Sequence, residues 1–271
     1  MVINYLSQNP ADLRRRHRAI ALTDVQANPG ISRTELARRL GLSDMAATRI
    51  VRDLLESKVL REMPAPTLKT TKERSVGRPK IGLTMRERAI FGAGMTFSAY
   101  HSEVSISDGN GEVIGRRKVK NIPFNEPLEC ARLFSQELDE LIIELGILRA
   151  RICGVGVVLS AKVDPQTGAI LHSDYFGWKE DGGTFSDCVR TALNLPVSIR
   201  NIADAIAVSE IQYGVARGVN NLVLVHTASL TGASIISNGE VLLGHDGFAG
   251  RVGHLAYKAK DFNCVCGRND C

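Results

Sequence analysis

Residues 34–55, TELARRLGLSDMAATRIVRDLL, decide the fold of the N-terminal part of this chain. The first eight have the spacing of a short amphipathic helix that ends at Gly41, because glycine adopts turn conformations that other residues resist. Ser43 is a typical helix N-cap, and an apolar face with helical spacing follows it. That face consists of Ala47, Ile50, Val51, Leu54 and Leu55. Two helices joined by a three-residue turn indicate a helix-turn-helix, whose second helix enters the major groove of DNA.

The outer face of the second helix is polar and basic. The side chains that we expect to contact base edges are those of Asp44, Thr48, Arg49 and Arg52. Strands are predicted at 59–63 and 79–85, on either side of a segment rich in Pro, Thr and Lys, and they make the unit a winged helix. The alternative is a three-helix bundle with a solvated, charged face.

The segment between these two strands predicts contacts with the DNA backbone. Gly77-Arg78-Pro79 resembles the short arginine-bearing elements that bind narrow minor grooves, so Arg78 is the candidate for that contact. The candidates for phosphate contacts are Lys69, Lys72, Arg74 and Lys80. Their loss should weaken binding to all DNA sequences alike.

Charge is distributed unevenly along the 271 residues. The net charge is +5, yet residues 1–80 carry 16 basic and 8 acidic side chains, and the remainder carries 18 and 21. We therefore predict a basic DNA-binding domain at 1–85 and a larger domain at 86–271 that does not contact DNA. No apolar run approaches the ~20 residues of a membrane span, and no secretory signal begins the chain. We expect a cytoplasmic protein with no membrane partner.

From about residue 88 the pattern becomes that of a mixed α/β domain. Three strands are predicted first, with Asp108-Gly109-Asn110-Gly111 as a hairpin turn, and helices and strands alternate after them. This order predicts an actin-like, ribonuclease H-like fold. The predicted strands are 89–97, 101–108, 112–120, 152–160, 196–200, 221–227 and 231–237, and the predicted helices are 126–147, 183–193 and 203–215.

Three of the six cysteines crowd the C-terminal end of the sequence. With one histidine they supply an imidazole and three thiolates, which is a ligand set for a tetrahedral structural zinc site. These residues are His254, Cys264, Cys266 and Cys271. The alternative is a set of reduced cysteines in a frayed tail.

Taken together, the sequence resembles the ROK family, which contains bacterial sugar kinases and repressors that place a winged helix before a kinase-like body. The resemblance runs from about residue 11 to the last residue. The motifs that carry it are the Gly-Arg-Pro element, VGVVLSAKVDPQTGAIL (155–171), FGW (176–178) and GRVGHLAYKAKDFNCVCGRNDC (250–271). The family has the same zinc site, although Asp270 stands where it usually has glycine, and we expect this substitution to strain the turn.

The resemblance also implies that the kinase chemistry is lost. Family kinases carry Asp-x-Gly-Gly-Thr where this chain has residues 96–100, TFSAY, and a glycine-rich loop where it has residues 228–232, ASLTG. Their catalytic Asn-Asp pair corresponds to Asn201-Ile202, and isoleucine accepts no proton. Asp204 follows, but its side chain should point elsewhere on a helix. We expect no ATP binding and no enzyme activity; a divergent sugar kinase is the alternative.

The sugar pocket implied by the family has changed as well. Asp174, Arg251 and His254 correspond to a family Asn, Glu and His, while Trp178 and Asn201 are retained. Arg251 replaces an acceptor of sugar hydroxyls by a donor suited to carboxylate or phosphate, so a sugar phosphate or sugar acid is the expected effector. The alternatives are a vestigial pocket with Arg251 in a surface ion pair, and a core or lid role for Trp178.

These features predict a homodimeric transcriptional regulator, a repressor of carbohydrate-related genes, that binds a double-stranded DNA operator. Family members continue beyond the zinc motif, so the sequence is expected to be either a fragment or a naturally shortened protein whose second lobe lacks its closing elements. A regulator that binds DNA but no effector is the further alternative.

Overall fold

The computed structural model describes residues 10–64, 81–98, 101–124, 126–173, 175–228, 231–256, 263–264 and 266–271. These residues form two compact units. One contains the described residues up to 90 together with 108–112, and the other contains 91–107 and the described residues from 113 onward. Within the described ranges, no helix combines the length and the apolar character of a membrane-spanning segment.

The N-terminal unit is three helices packed with a small antiparallel sheet. The helices are α1 (Pro10–Ala27), α2 (Arg33–Leu40) and α3 (Asp44–Glu56), and the strands are β1 (Ile31–Ser32), β2 (Leu60–Pro64) and β3 (Ile81–Met85). Strand β3 lies between the other two. Leu36, Val51 and Leu83 are almost fully buried in its core. This is the predicted winged helix-turn-helix.

The body is built on a five-stranded sheet. Its strands are β4 (Phe91–Phe97), β5 (Glu103–Asp108), β6 (Val113–Lys118), β7 (Ile152–Leu159) and β11 (Val197–Asn201), in the order β11-β7-β4-β5-β6. Strand β7 runs parallel to both β4 and β11. Helices α4 (Pro127–Glu144) and α5 (Gly182–Leu193) pack together and share one core with the sheet. Phe97 stacks on Phe134 with ring centroids 3.9 Å apart and meets Phe185 edge-on at 5.2 Å.

Two smaller sheets complete the body. One has the order β10-β9-β8, from β8 (Lys162–Val163), β9 (Ile170–Ser173) and β10 (Trp178–Asp181). The other, β12 (Leu222–Thr227), β13 (Thr231–Ser237) and β14 (Glu240–Val241), packs against α6 (Ile202–Gln212). Strands β8, β9, β10 and β14 were not predicted from the sequence. The order of elements is that of an actin-like, ribonuclease H-like body, as predicted.

Candidate functional site

Side-chain and backbone caps fix the angle between α2 and α3. The Ser32 hydroxyl accepts a 3.2 Å hydrogen bond from the Glu35 N–H, and the Ser43 hydroxyl accepts one of 3.2 Å from the Ala46 N–H. Between the helices, Gly41 has a left-handed backbone with φ of 62°. The predicted N-cap at Ser43 and turn at Gly41 are thereby confirmed. Because both ends of the turn are held, α3 is presented in one orientation.

The outer face of α3 carries all four predicted base-contacting residues. Asp44, Thr48, Arg49 and Arg52 are exposed on this face. Met45 lies among them with 84% of its surface exposed. The sequence pattern assigned this residue no role. Its apolar end is suited to contact with a thymine methyl group.

Arg49 is the guanidinium on this face that is free to bind DNA. Within the part of the chain that the structure describes, it forms no ion pair, while Arg52 makes a loose one of 3.8 Å with Glu56. Several other arginines of the unit form ion pairs with acidic residues of the same unit. Arg18 pairs with Asp53 at 2.6 Å, and this bond lowers the pKa of Asp53.

The predicted wing contacts Lys69, Lys72, Arg74, Arg78 and Lys80 lie outside the described residues. Their roles stay predictions that rest on the sequence. The same holds for Asp174, one of the predicted effector contacts.

The four predicted zinc ligands converge. All four ligand atoms lie within 4.8 Å of one another. His254 Nδ1 is 3.7 Å from Cys264 Sγ, and Cys266 Sγ is 3.5 Å from Cys271 Sγ. A tetrahedral zinc ion with bonds of about 2.3 Å holds its sulfur ligands roughly 3.8 Å apart, so the cluster has the dimensions of such a site.

Local backbone and one arginine hold this cluster together. The Cys264 N–H donates to the Arg268 carbonyl at 2.8 Å, and the Arg268 guanidinium donates to the His254 carbonyl at 3.3 Å and to Asp270 through two bonds of 2.8 Å. The residues with a left-handed backbone do not include Asp270. The expectation that it strains the turn is therefore wrong, because aspartate in this backbone conformation needs no glycine and gains an ion pair.

The thiols of the cluster differ in their affinity for protons. Desolvation, followed by hydrogen bonds with Cys266 and Cys264, raises the pKa of Cys271 to about 11. The backbone N–H of Arg268 and the hydrogen bond with Cys264 lower the pKa of Cys266. A cation is the partner that lets several such sulfurs ionise together.

Two of the predicted effector-binding residues, Trp178 and Asn201, make their hydrogen bonds within the protein. Trp178 is 6% exposed, lies against Phe176 and Phe185, and donates its indole N–H to the Phe124 carbonyl at 2.6 Å. These are contacts of a core residue. Asn201 caps α6 by accepting from the Ala203 N–H at 2.8 Å, and its amide donates to the Ala161 carbonyl at 2.8 Å.

Arg251 is exposed, and its guanidinium lies over the ring of Phe248, 4.8 Å from the centroid. Lys162 lies over the same ring at 3.4 Å. Sequence analysis singled out neither Phe248 nor Lys162. The two-residue strand that carries Lys162 is too short to show a periodic pattern, and only folding brings it to residue 248.

Two positions that the resemblance relates to kinase chemistry lie on α6. Ile202 is the first residue of α6, where the resemblance places the catalytic base. Asp204 Oδ1 instead accepts a 2.6 Å hydrogen bond from the Ser234 hydroxyl on β13. The carboxylate is thus committed to a contact inside the protein.

Comparison with known proteins gives two family matches. The ROK family profile matches residues 94–271, and a winged helix-turn-helix DNA-binding profile matches residues 22–61. The chain is 20% identical over 259 residues to the xylose repressor of Bacillus subtilis (strain 168), covering 96% of this chain and 65% of the relative. It is 24% identical over 247 residues to the N-acetylglucosamine repressor of Escherichia coli O157:H7, covering 89% and 57%. It therefore spans only about three fifths of the length of these relatives.

Solved structures show the same fold. A ROK family transcriptional regulator, a homologue of the E. coli MLC protein, matches with a TM-score of 0.73 at 24% identity over 94% of this chain and 63% of that one. A ROK family glucokinase from Streptomyces griseus, in complex with glucose and AMPPNP, matches with a TM-score of 0.59 at 20% identity over 67% and 55%.

Proposed function

We propose that this chain, which belongs to the ROK family and carries a winged helix-turn-helix, is a DNA-binding repressor of carbohydrate-related genes. Its relatives at 20–24% identity are named as sugar repressors. The observation that carries the proposal is the outer face of α3, where Arg49 is exposed without an ion pair among the described residues and Met45 is 84% exposed. These side chains lie on the face that the second helix of a helix-turn-helix presents to the major groove.

Capture of genomic DNA fragments by the purified chain, followed by sequencing, tests this function. A recurring site near physiological salt is expected, and Arg49→Ala/Arg52→Ala should lose it. The matched control, Arg116→Ala/Arg132→Ala, removes two exposed arginines from the body and should leave capture unchanged. Failure of the folded wild-type protein to capture any fragment would refute the proposal.

We infer further that the body is not catalytic and needs no ATP. Ile202 supports this, because it supplies no base where the family's kinases have aspartate. ATP consumption in the presence of a panel of sugars should stay at the background rate. Sugar-dependent ATP consumption would favour the divergent kinase instead.

His254, Cys264, Cys266 and Cys271 are proposed to hold a structural zinc ion. Zinc would cross-link the turn at Cys264 to the short 3-10 helix Val252–His254. With four protein ligands, no coordination position would remain open for catalysis. The spacing of the four ligand atoms supports this.

Removal of the metal tests this proposal. We expect a single zinc ion per purified chain, and chelation or Cys264→Ser should lower the unfolding temperature of the body by about 5 °C, since structural zinc contributes directly to folding. Cys153→Ser, which changes an exposed thiol outside the cluster, is the control and should alter neither quantity. Purified, active protein without bound metal would contradict the assignment.

The same body is proposed to dimerise and to bind a sugar-derived effector that releases DNA. Arg251 supports an anionic effector, a sugar phosphate or a sugar acid, since its guanidinium is exposed and has no carboxylate partner within the described ranges.

A further inference from the structure

Two cations share one aromatic ring on the surface of the body. Lys162 Nζ lies 3.4 Å from the centroid of Phe248, and the Arg251 guanidinium carbon lies 4.8 Å from it. The two positive groups are therefore within about 8 Å of each other. The ring is 48% exposed, so the arrangement opens to solvent. The ring face attracts each cation, but it does not neutralise their mutual repulsion.

No carboxylate compensates these charges in the described part of the chain. Neither Lys162 nor Arg251 forms an ion pair there, although acidic residues outnumber basic ones by 21 to 18 beyond residue 80. Other arginines of the body do find acids; Arg117 pairs with Glu140 and Glu144 at 3.0 Å each. Two cations on one ring, neither with an ion pair among the described residues, form a site that attracts anions.

Close backbone contacts hold the segment that carries Phe248 and Arg251. A Cβ added to Gly247 would lie 2.7 Å from the Val163 carbonyl of β8, and one added to Gly250 would lie 2.0 Å from the Ala233 carbonyl of β13. The Ala233 N–H also donates to the Gly250 carbonyl at 2.8 Å. Because β8 also carries Lys162, the backbone of the segment and that of the lysine are held next to each other before any ligand arrives.

We propose that Lys162 and Arg251 together bind the anionic group of the effector, beside the ring of Phe248. A phosphate that accepts hydrogen bonds of ~2.8 Å on two of its oxygens reaches donors up to about 8 Å apart, and the two cations lie within that limit. A carboxylate bridges donors that are closer together, and the flexible side chain of Lys162 can shorten the distance to Arg251 accordingly. The idea of an effector rests on the proposed function, whereas the binding of an anion here does not.

Calorimetric titration of the full chain with four probes tests the site. Glucose 6-phosphate and glucuronate distinguish a phosphate ester from a carboxylate, glucose lacks the charge, and inorganic phosphate lacks the sugar. We expect at least one anionic sugar to bind at least tenfold more tightly than both glucose and inorganic phosphate. Lys162→Gln and Arg251→Gln should each weaken that binding at least tenfold, since each removes a charge-assisted hydrogen bond.

Controls separate a lost contact from a lost fold. Lys118→Gln removes an exposed lysine from the edge strand β6 and should leave binding unchanged, while Lys162→Arg keeps the charge and should retain most of it. Binding of glucose as tight as that of the anionic sugars, unaltered binding in both Gln variants, or no binding of either anionic sugar would each overturn the site. Genomic capture is measured separately. If the wild-type protein captures no DNA, the proposed regulator is refuted, whereas intact anion binding would still support the site.

Discussion

Asp204 is a half-buried acid whose environment makes stability depend on pH. Burial raises its pKa, against the opposing effects of the Ser234 hydrogen bond and of Arg200. Because the folded pKa lies above the unfolded value, the native state binds more protons in the window between them, and the free energy of unfolding falls as pH rises through it. We therefore expect Asp204→Asn to raise the free energy of unfolding of the body at pH 7, with a gain that disappears as pH falls below about 4.

Urea unfolding of the two proteins at several pH values between about 3 and 7 measures this difference. Asp187→Asn is the matched control, because the Asp187 side chain is 79% exposed and its removal should give no such trend. An Asp204→Asn protein that is less stable than the wild type at every pH would show that the hydrogen bond with Ser234 outweighs the burial of the charge.

Arg49 carries the second residue-scale prediction, which concerns sequence specificity under the proposed function. A guanidinium that binds a guanine edge with two hydrogen bonds contributes about 1–3 kcal/mol of discrimination against other bases. Arg49→Ala should thus reduce the preference for one base over the others at a single base pair of the recurring site. Lys72→Ala should weaken binding to all DNA sequences equally. Competition binding with single-base variants of the site separates the two effects. Uniform weakening by both variants would assign Arg49 to the phosphate backbone.

At this scale, sequence analysis finds residues whose roles follow from spacing. The four base-contact candidates share a helix face with period 3.6, and the ligands of the metal cluster share a local motif, so both sets can be found from the chain alone. Lys162 and Phe248 cannot, because they lie far apart in the sequence and meet only when the loop packs on β8. Trp178 shows the converse: a tryptophan in a sugar-pocket motif can be expected to contact ligand, yet its contacts are those of the core.

Among the elements, the long and periodic ones are predictable and the short ones are not. Strands β4 and β7 and helix α3 follow their sequence patterns closely, while β8, with two residues, and β9 and β10, with four each, show too little alternation to detect. Helix ends depend on local backbone. Helix α4 was predicted to reach residue 147 but ends at Glu144, because Gly146 adopts a left-handed conformation with φ of 64° and stops it.

The turn between α2 and α3 gives an element-scale prediction. A methyl group added at Gly41 would meet no atom within 4 Å, so the expected cost of Gly41→Ala is backbone strain alone, about 1 kcal/mol, from its φ of +62°. The variant should unfold at lower temperature in the N-terminal unit and bind DNA more weakly, since the angle of α3 shifts. Thermal unfolding and binding to the captured site measure both effects.

Gly156 provides the control for that experiment, because a methyl group there also meets open space but its backbone is not left-handed. Gly156→Ala should be close to neutral. An equal loss of stability in the two variants would mean that the conformation of Gly41 is not what the turn requires.

For the molecule as a whole, the uneven charge predicts that DNA binds to the N-terminal unit and not to the body. Residues 1–80 hold an excess of eight basic side chains, whereas the remainder has a slight acidic excess. Each phosphate contact that is lost should therefore reduce the salt dependence of binding by about one counterion, but only for substitutions in the N-terminal unit. A single unit of this size rarely reaches useful specificity, which is why pairing of two chains on one operator belongs to the proposed function.

If two chains pair on one operator, the geometry of DNA determines the distance between its half-sites. Two recognition helices related by a two-fold axis enter successive major grooves on one side of the duplex, so the centres of the half-sites should lie about 10 base pairs, or a multiple of it, apart. Inserting five base pairs between the half-sites of the captured operator turns one half-site to the opposite side of the DNA and should weaken binding to the level of a single half-site. Inserting ten should restore most of the affinity. Electrophoretic mobility or fluorescence anisotropy measures the series, and affinity that is indifferent to spacing would show that the chains bind DNA independently.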